Sequence, residues 1–256
     1  VGHRGRGTLD ISAGGAVGSG SGSVGGASGS AGSVTVSGAG STWTGMFDLS
    51  IGGYGTGTLA IAEGGAVSND WGRIGNEAGS VGAVTVDGTD SMWTSSGPLY
   101  VGHAGRGTLE ITGGAAVSTD SAYIAFDVGS GAVTVDGAGS SCTSEWLTVG
   151  RYGSGELLVT DGGAVRSTHG CIGRELGSAG TVTVNGAGST WTNTGRLRLG
   201  EQGNGALRIT AGGAVTIHGD TLIGGDAGTI HLDAGTLTTG GLLCRFDDLS
   251  GTGILQ

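Results

Sequence analysis

The chain has no lysine, one proline and three cysteines, and its charge is predominantly acidic. Its 11 basic residues, all arginines, face 21 acidic residues for a formal net charge of −10. Nucleic acids and anionic membranes are bound through basic patches, so neither is expected as a partner. No apolar run reaches the length of a transmembrane helix, which argues against direct membrane insertion of this segment. The cysteines show no C-x-x-C spacing and predict no disulfide framework.

Glycine is the abundant residue, with 62 among 256 positions, and its spacing is regular. The segment VGHRGRGTLDISAGGAV at 1–17 returns in related form at 51–67, 101–117, 149–165 and 199–215. Self-similarity at a fixed period is typical of a stacked repeat array. Glycine at this density opposes helices, whereas glycine placed regularly at turns supplies positive φ or close backbone approach.

Each repeat of about 50 residues divides into two coils of about 25. Every coil carries an apolar-x-apolar triplet, such as Leu9/Ile11 in the first and Val34/Val36 in the second. This alternation with period two indicates strands rather than helices. Short strands between glycine turns cannot bury a face alone, but they become buried when coils stack in register. We therefore predict an all-β fold, a right-handed parallel β-helix (β-solenoid) of about ten coils with two coils per repeat.

A third apolar position in each coil alternates between valine and a larger residue. Tryptophan in every second coil would fill a wide corner of the core, while the valine coils would leave that corner narrower. Cys142 occupies a slot in which sister coils place tryptophan, so it is interpreted as a buried apolar residue. The predicted core residues at these larger slots are Trp43, Trp93, Cys142 and Trp191.

The repeat pattern divides the chain into one array and a short end segment. Residues 1–235 form the predicted β-helix array, and residues 236–256 form a degenerate, truncated final coil. We interpret the chain as a fragment of a longer array, and the edge strands exposed in the fragment would permit end-to-end association. The repeats lie near 1–49, 50–99, 100–147, 148–197 and 198–235.

The two coil types together resemble a known bacterial repeat family. The pattern G-x-G-x-L-x-I-x-x-G-G-A-V is followed by G-x-V-T-V-x-G-x-G-S-x-W-T, most specifically as GAGSTWT at 38–44 and 186–192. From residue 1 to about 235 the chain is similar to bacterial autotransporter (type V secretion) passenger regions and to surface proteins associated with PEP-CTERM sorting signals. The resemblance implies a right-handed parallel β-helix displayed outside a bacterial cell, with adhesive, surface or matrix roles more often than catalysis. It carries no shared catalytic residues to this chain.

A polysaccharide-active β-helix enzyme, either a lyase or a hydrolase, is the alternative interpretation. Hydrolysis of a glycosidic bond generally needs two carboxylates roughly 5–10 Å apart. Asp87 and Asp136 occupy the same turn position two coils apart, or about 10 Å, but Asp-Gly after a strand is also an ordinary turn. No basic proton acceptor clusters with acidic metal ligands. We therefore assign no catalytic residue and predict that the chain is not an enzyme.

The histidines predict no metal site, and no cofactor is expected. His3 and His103 share a G-H-x-G-R-G turn but lie four coils apart, about 19 Å, which is too far to share one ion. His169, His218 and His231 have no matching spacing. All five are interpreted as surface turn residues.

Exposed aromatic side chains are the remaining candidates for ligand contact, because they can stack on sugars. Tyr54 and Tyr152 lie in glycine-rich turns, whereas Tyr100 and Tyr123 immediately precede inward residues and are expected to point outward. The sequence suggests no continuous column among them. A glycan-binding module with contacts at these tyrosines is a further alternative.

The regularity of the coils favours a structural role over catalysis. Function in loop-bearing folds concentrates on projecting loops, and no coil here carries an insertion. We therefore predict a non-enzymatic structural or adhesive segment of a bacterial protein that is exported through the outer membrane and displayed at the cell surface or secreted. Its expected partners are host-surface or matrix glycans or proteins.

Overall fold

The computed structural model describes residues 1–225 and 227–256, the side chain of Phe246 excepted. Strands pair in parallel with their counterparts in the coils before and after them. In the described residues the only helix is the 3-10 turn Phe246–Asp248, and none has the length and apolarity needed to cross a bilayer. The strands are β1 (Arg6–Ile11), β2 (Ala16–Ser19), β3 (Gly22–Val24), β4 (Ala31–Ser37), β5 (Thr42–Gly45), β6 (Asp48–Ile51), β7 (Thr56–Ala62), β8 (Ala66–Asn69), β9 (Trp71–Ile74), β10 (Val81–Asp87), β11 (Met92–Ser95), β12 (Leu99–Val101), β13 (Arg106–Thr112), β14 (Ala116–Ile124), β15 (Ser130–Asp136), β16 (Ser141–Val149), β17 (Ser154–Thr160), β18 (Ala164–Ile172), β19 (Ala179–Asn185), β20 (Thr190–Asn193), β21 (Leu197–Leu199), β22 (Asn204–Thr210), β23 (Ala214–Ile223), β24 (Gly228–Asp233), β25 (Thr236–Leu243), β26 (Leu249–Gly251) and β27 (Ile254–Leu255).

Each coil passes over three faces of the solenoid. Face 1 is an 11-stranded sheet in the order β1-β4-β7-β10-β13-β15-β17-β19-β22-β24-β26, with one strand from each coil. A 16-stranded sheet supplies the other two faces. Face 2 begins with β2, β5, β8 and β11, and face 3 contains β3, β6, β9, β12 and β21, while β14, β16 and β18 each cover both faces. The predicted all-β parallel β-solenoid is confirmed.

Stacking in register places like residues on like residues along the axis of the solenoid. On face 1, Leu59 pairs with Val34 on one side and Val84 on the other, and all three side chains are buried. On face 2, Trp93 lies between Val67 and Val117. The residues between these inward positions point to solvent, because successive side chains of a strand alternate between its two sides.

The tryptophans of face 2 occupy space that glycines on face 3 leave free. A Cβ on Gly72 would lie 3.1 Å from Cζ2 of Trp93 and 2.6 Å from Cδ1 of Leu99. The indole Nε1 of Trp93 donates to Asn69 Oδ1 at 2.6 Å, so its polar edge is satisfied within the core. The same relation joins Gly22 to Trp43 and Gly170 to Trp191.

The arrangement changes at Cys142 and at Ala122 in the preceding coil. Cys142 is buried in the slot of the tryptophans, and burial raises the pKa of its thiol to about 12. Ala122 holds the face 3 position that Gly72 holds two coils earlier, since both pair with Leu99. A smaller residue in one slot is therefore accompanied by a larger residue in the other.

Two columns of glycine form the corner at which face 3 turns into face 1. Gly75 has φ +67°, and its amide nitrogen donates to the carbonyl oxygen of Ile51 at 2.9 Å. A Cβ on Gly82 would lie 2.2 Å from that oxygen and 2.4 Å from that nitrogen. Backbone atoms from successive coils meet at this corner and leave no room for a side chain. Ala125, with φ +61°, is the departure from glycine that the sequence shows.

The chain from residue 236 onward continues the stack. β25 pairs with β23, β26 pairs with β24, and β27 pairs with β25, all in parallel. The pairing of β25 with β23 shifts register between Ile217 and Asp220, which is where the sequence pattern also weakens. The division into five repeats ending near residue 235 stays a prediction.

Candidate functional site

Aromatic and arginine side chains are concentrated on the outward side of face 3. The residue before each inward anchor of this face points outward, and register aligns these residues along the axis. Face 2 presents mainly serine, threonine and alanine outward, such as Thr44, Ser68 and Thr94. The aligned column on face 3 runs Ser50, Arg73, Tyr100, Tyr123, Thr148, Cys171 and Arg198.

An aromatic cluster, formed by Trp71, Tyr100, His103, Tyr123 and Phe126, covers the middle of this face. Tyr100 and Tyr123 stack with ring centroids 5.3 Å apart and an interplanar angle of 12°. The edge of Phe126 meets both tyrosine rings, and His103 stacks on Phe126 at 5.3 Å. Trp71 closes the cluster at 6.4 Å from Tyr100, with 40% of its surface exposed. Rings held in this way present a rigid surface at little further cost in conformational entropy.

Two arginines flank the aromatic cluster and lie over its rings. The guanidinium carbon of Arg73 is 5.2 Å from the Trp71 ring centroid, and its Nη1 donates to Asp48 Oδ2 at 2.7 Å. The guanidinium carbon of Arg151 is 4.3 Å from the Phe126 centroid and 5.2 Å from that of Tyr152. All three guanidinium-to-ring distances are within the range of cation–π attraction. The Nε of Arg151 is buried and has no acceptor among the described residues.

An arginine groove, with a volume of about 340 Å³, continues the face beyond the aromatic cluster. One wall is Trp146, which is 50% exposed and whose ring centroid is 4.3 Å from that of His169. Arg198 Nη1 donates to Glu201 Oε1 at 2.8 Å across the opposite wall. The residues that line the groove are Trp146, Thr148, His169, Gly170, Cys171, Arg174, Arg196, Arg198 and Glu201.

Arginines are concentrated on and beside face 3 of an acidic chain. Five of the 11 arginines lie there, in a protein with a formal net charge of −10. Two of the carboxylates on this face, Asp48 and Glu201, are each paired with an arginine. The five arginines are Arg73, Arg151, Arg174, Arg196 and Arg198.

The four tyrosines considered in the sequence lie in different surroundings. Tyr100 and Tyr123 lie side by side across β12 and β14 because the register aligns them, and Arg73 and Thr148 flank the pair. Tyr100 is only 8% exposed, and burial together with the neighbouring Tyr123 raises its pKa. Tyr152 lies under Arg151 at the rim of the cluster, whereas Tyr54 is 58% exposed in its turn. Phe126 and Arg151, which complete the cluster, gave no repeat signal of their own.

The two carboxylates considered for catalysis, Asp87 and Asp136, hydrogen-bond to threonines of the neighbouring coils. Asp87 pairs in register with Thr112, whose hydroxyl donates to Asp87 Oδ1 at 2.6 Å. Asp136 receives the same bond from Thr160 at 2.6 Å. A threonine side chain thus lies between the two carboxylates along the axis, so the structure does not bring them together around a substrate.

The histidines are not all surface turn residues, which corrects the interpretation from sequence. His103 lies in a turn, as expected, and packs in the aromatic cluster, whereas His169 lies within β18 against Trp146. His3 is exposed, as expected. Over the described ranges, no three histidine, cysteine, aspartate or glutamate side chains converge in a way that could hold a metal ion.

Cys171, at the base of the arginine groove, is expected to react slowly with alkylating agents. Burial, and next the charge of Glu201, raise the pKa of its thiol to about 12, so nearly all of it is protonated at pH 8. Allowing for the greater nucleophilicity of a high-pKa thiolate, we expect roughly 10- to 100-fold slower carboxymethylation than in urea-unfolded protein. Peptide mass spectrometry at pH 8 measures both rates.

The substitution Glu201→Gln provides the matched test of that cause. Removing the neighbouring negative charge is expected to lower the pKa of the Cys171 thiol and to accelerate its alkylation. Equal rates in folded and unfolded protein would show instead that the surroundings of Cys171 do not suppress its thiolate, which would contradict the raised pKa.

Comparison with known proteins gives one weak structural likeness and no family. No family model and no curated protein matches the chain. A solved structure described as a TibC-catalysed hyper-glycosylated TibA fragment aligns over 96% of this chain and 100% of its own length. The alignment has 18% sequence identity and a TM-score of 0.41. A likeness at this level transfers no function, so the function is argued from the chain's own residues.

Proposed function

We propose that the chain is a non-catalytic, surface-displayed β-solenoid that binds glycans through face 3. The observation that carries this proposal is the concentration of rigid aromatic side chains and arginines on one face of an otherwise small-residue surface. The repeat resemblance supports display outside a bacterial cell, and the solenoid axis provides an extended surface for an extended partner.

The aromatic side chains suit the apolar faces of sugar rings. Trp71 and Trp146 are 40% and 50% exposed, yet each is held against neighbouring rings. They lie three coils apart, or roughly 14 Å at the spacing of parallel strands. A polysaccharide lying along the axis would therefore contact both, while the rings of Tyr123 and Phe126 lie between them. Exposed aromatic and arginine residues together are also the composition typical of binding hot spots.

The same face is poorly equipped for catalysis. Its acidic groups Asp48 and Glu201 are already paired with Arg73 and Arg198, at 2.7 and 2.8 Å. One oxygen of each carboxylate is therefore already engaged in accepting a hydrogen bond from a guanidinium group. The raised pKa of Cys171 likewise disfavours a thiolate nucleophile. Binding without turnover is the function that these groups support.

Replacing Trp71 or Trp146 with alanine is expected to weaken glycan binding by roughly 2 kcal/mol, or about thirtyfold, since each loses a stacking surface. A glycan array with the wild-type chain would identify the ligand, and calorimetric titration would measure each variant. Tyr54→Ala, which removes an exposed ring from the turn after β6 and outside the aromatic cluster, is the matched control and should bind normally. Equal losses in all three variants, or no bound glycan on the array, would contradict the proposal.

A further inference from the structure

We propose that the arginine groove is a subsite for the anionic group, carboxylate or sulfate, of an acidic polysaccharide. This inference rests on the proposed glycan-binding function and specifies the class of ligand. It concerns the part of face 3 formed by β16, β18 and β21, where arginines replace the rings of the aromatic cluster.

The groove holds more positive than negative charge. Arg174, Arg196 and Arg198 line it, and Glu201 is the one carboxylate among the lining residues. Arg198 is held in place by Glu201, with Nη1 to Oε1 at 2.8 Å, which leaves the rest of its guanidinium free to donate. Arg174 makes only a longer contact, 3.6 Å, with Glu175 on the rim.

Arg196 is the strongest single indication that the groove binds an anion. Its side chain is exposed and makes no ion pair or hydrogen bond with the described residues, and it faces the same groove as Arg198. A planar guanidinium offers two parallel donors that match a carboxylate or a sulfate, and such bidentate bonds are both strong and directional. In a chain with net charge −10, three arginines in one groove are not explained by general solubility.

The rest of the groove indicates a sugar rather than a free inorganic anion. Trp146 forms an apolar wall, and the base is made of Thr148 and Gly170, both buried. A pyranose ring bearing an acidic substituent has an apolar face for the indole and an anion for the guanidinium groups. Tyr123 pairs in register with Thr148, so the aromatic cluster and the groove are adjacent along the axis. One extended chain could therefore occupy both.

The ligand class is tested with two pairs of probes that differ only in charge. Polygalacturonate and its methyl ester compare a carboxylate with its neutral form, and dextran sulfate and dextran do the same for a sulfate. We expect at least one anionic probe to bind roughly tenfold or more tightly than its neutral partner, with affinity falling as salt increases. Biolayer interferometry with the immobilised wild-type chain measures all four.

Variants locate the selectivity in the groove. Arg196→Gln combined with Arg198→Gln is expected to remove the preference for the anionic probe. Arg208→Gln, which replaces an exposed arginine on face 1, should leave that preference unchanged. Arg196→Gln alone keeps the pair between Arg198 and Glu201 intact and should lose at least roughly threefold in affinity for the anionic probe. Circular dichroism would establish that each variant is folded.

The outcomes separate this inference from the function on which it rests. Equal binding of charged and neutral probes, or selectivity unchanged in the double variant, overturns the anionic subsite while leaving glycan binding intact. Loss of selectivity in Arg208→Gln as well would show diffuse charge attraction and would also overturn it. Failure of all four probes to bind overturns the subsite, and the glycan array then decides the broader proposal.

Discussion

Replacing Gly82 with alanine is expected to lower the free energy of unfolding by more than about 4 kcal/mol, the range reached only by specific structural damage. The added Cβ would lie 2.2 Å from the carbonyl oxygen of Ile51 and 2.4 Å from the amide nitrogen of Gly75. Those two atoms form a hydrogen bond of 2.9 Å between successive coils. Backbone atoms in a stacked array cannot rotate away as a side chain can, so the clash must open the bond or separate the coils.

Two other glycines separate this steric cause from the backbone preference of glycine. Gly79 has φ +79° but nothing within 4 Å of an added Cβ, so Gly79→Ala should cost only about 1 kcal/mol. Gly18 is in a strand with open space and no positive φ, so Gly18→Ala should be close to neutral. Urea unfolding followed by circular dichroism and tryptophan fluorescence would rank the three variants.

Two results would contradict the expected effect of Gly82→Ala. If Gly82→Ala lowers the free energy of unfolding no more than Gly79→Ala does, the corner between face 3 and face 1 tolerates a side chain. Successive coils are then less closely packed at this corner than the structure shows. Because stability in a solenoid is close to a sum over neighbouring coils, the defect should also broaden or split the unfolding transition. If Gly82→Ala instead unfolds in a single sharp transition with the same urea midpoint as the wild type, both the loss of stability and the broadened transition are contradicted.

The architecture was predictable because its determinants recur at fixed positions. Alternating pairs such as Leu59 and Ile61 predict a strand in each coil, and the glycines between them predict turns. The structure places these pairs in one continuous column on face 1. Register also follows from the sequence, since sliding by one residue would turn every apolar side chain outward.

The candidate site was harder to predict because its residues are exceptions to the repeat. Tyr100 and Tyr123 are 23 positions apart in the sequence and differ from the residues at the same place in most coils. Face 3 contributes only three or four residues per coil, too few for a periodic signal. The information was nevertheless present: aligning the residue before each inward anchor yields Arg73, Tyr100 and Tyr123 in succession. Phe126 and Arg151 lie in the turns after face 3, outside the aligned strand positions, so their location follows only from the structure.

The second large effect on stability is expected at Cys142 and Ala122, where a smaller side chain in one position accompanies a larger one in the other. Cys142→Trp alone should destabilise the protein by about 3 kcal/mol, because the indole would meet the Cβ of Ala122 where other coils provide glycine. Adding Ala122→Gly should recover most of that loss, although Ala122→Gly by itself costs about 1 kcal/mol through a small cavity and a more flexible strand. The two changes are therefore expected to couple by about 2 kcal/mol or more.

The partner for the new indole is already present, which makes the double variant a fair test. Thr119 holds the position from which Asn69 accepts the Nε1 proton of Trp93, two coils earlier on the same face. Urea unfolding of the wild type, both single variants and the double variant completes the thermodynamic cycle. If the costs simply add, the tryptophan does not depend on the glycine beneath it, and alternation between coils reflects only the size of the face 2 slot. Strong coupling would mean that each tryptophan selects the residue below it, so that two coils, rather than one, are the unit that can be exchanged without loss.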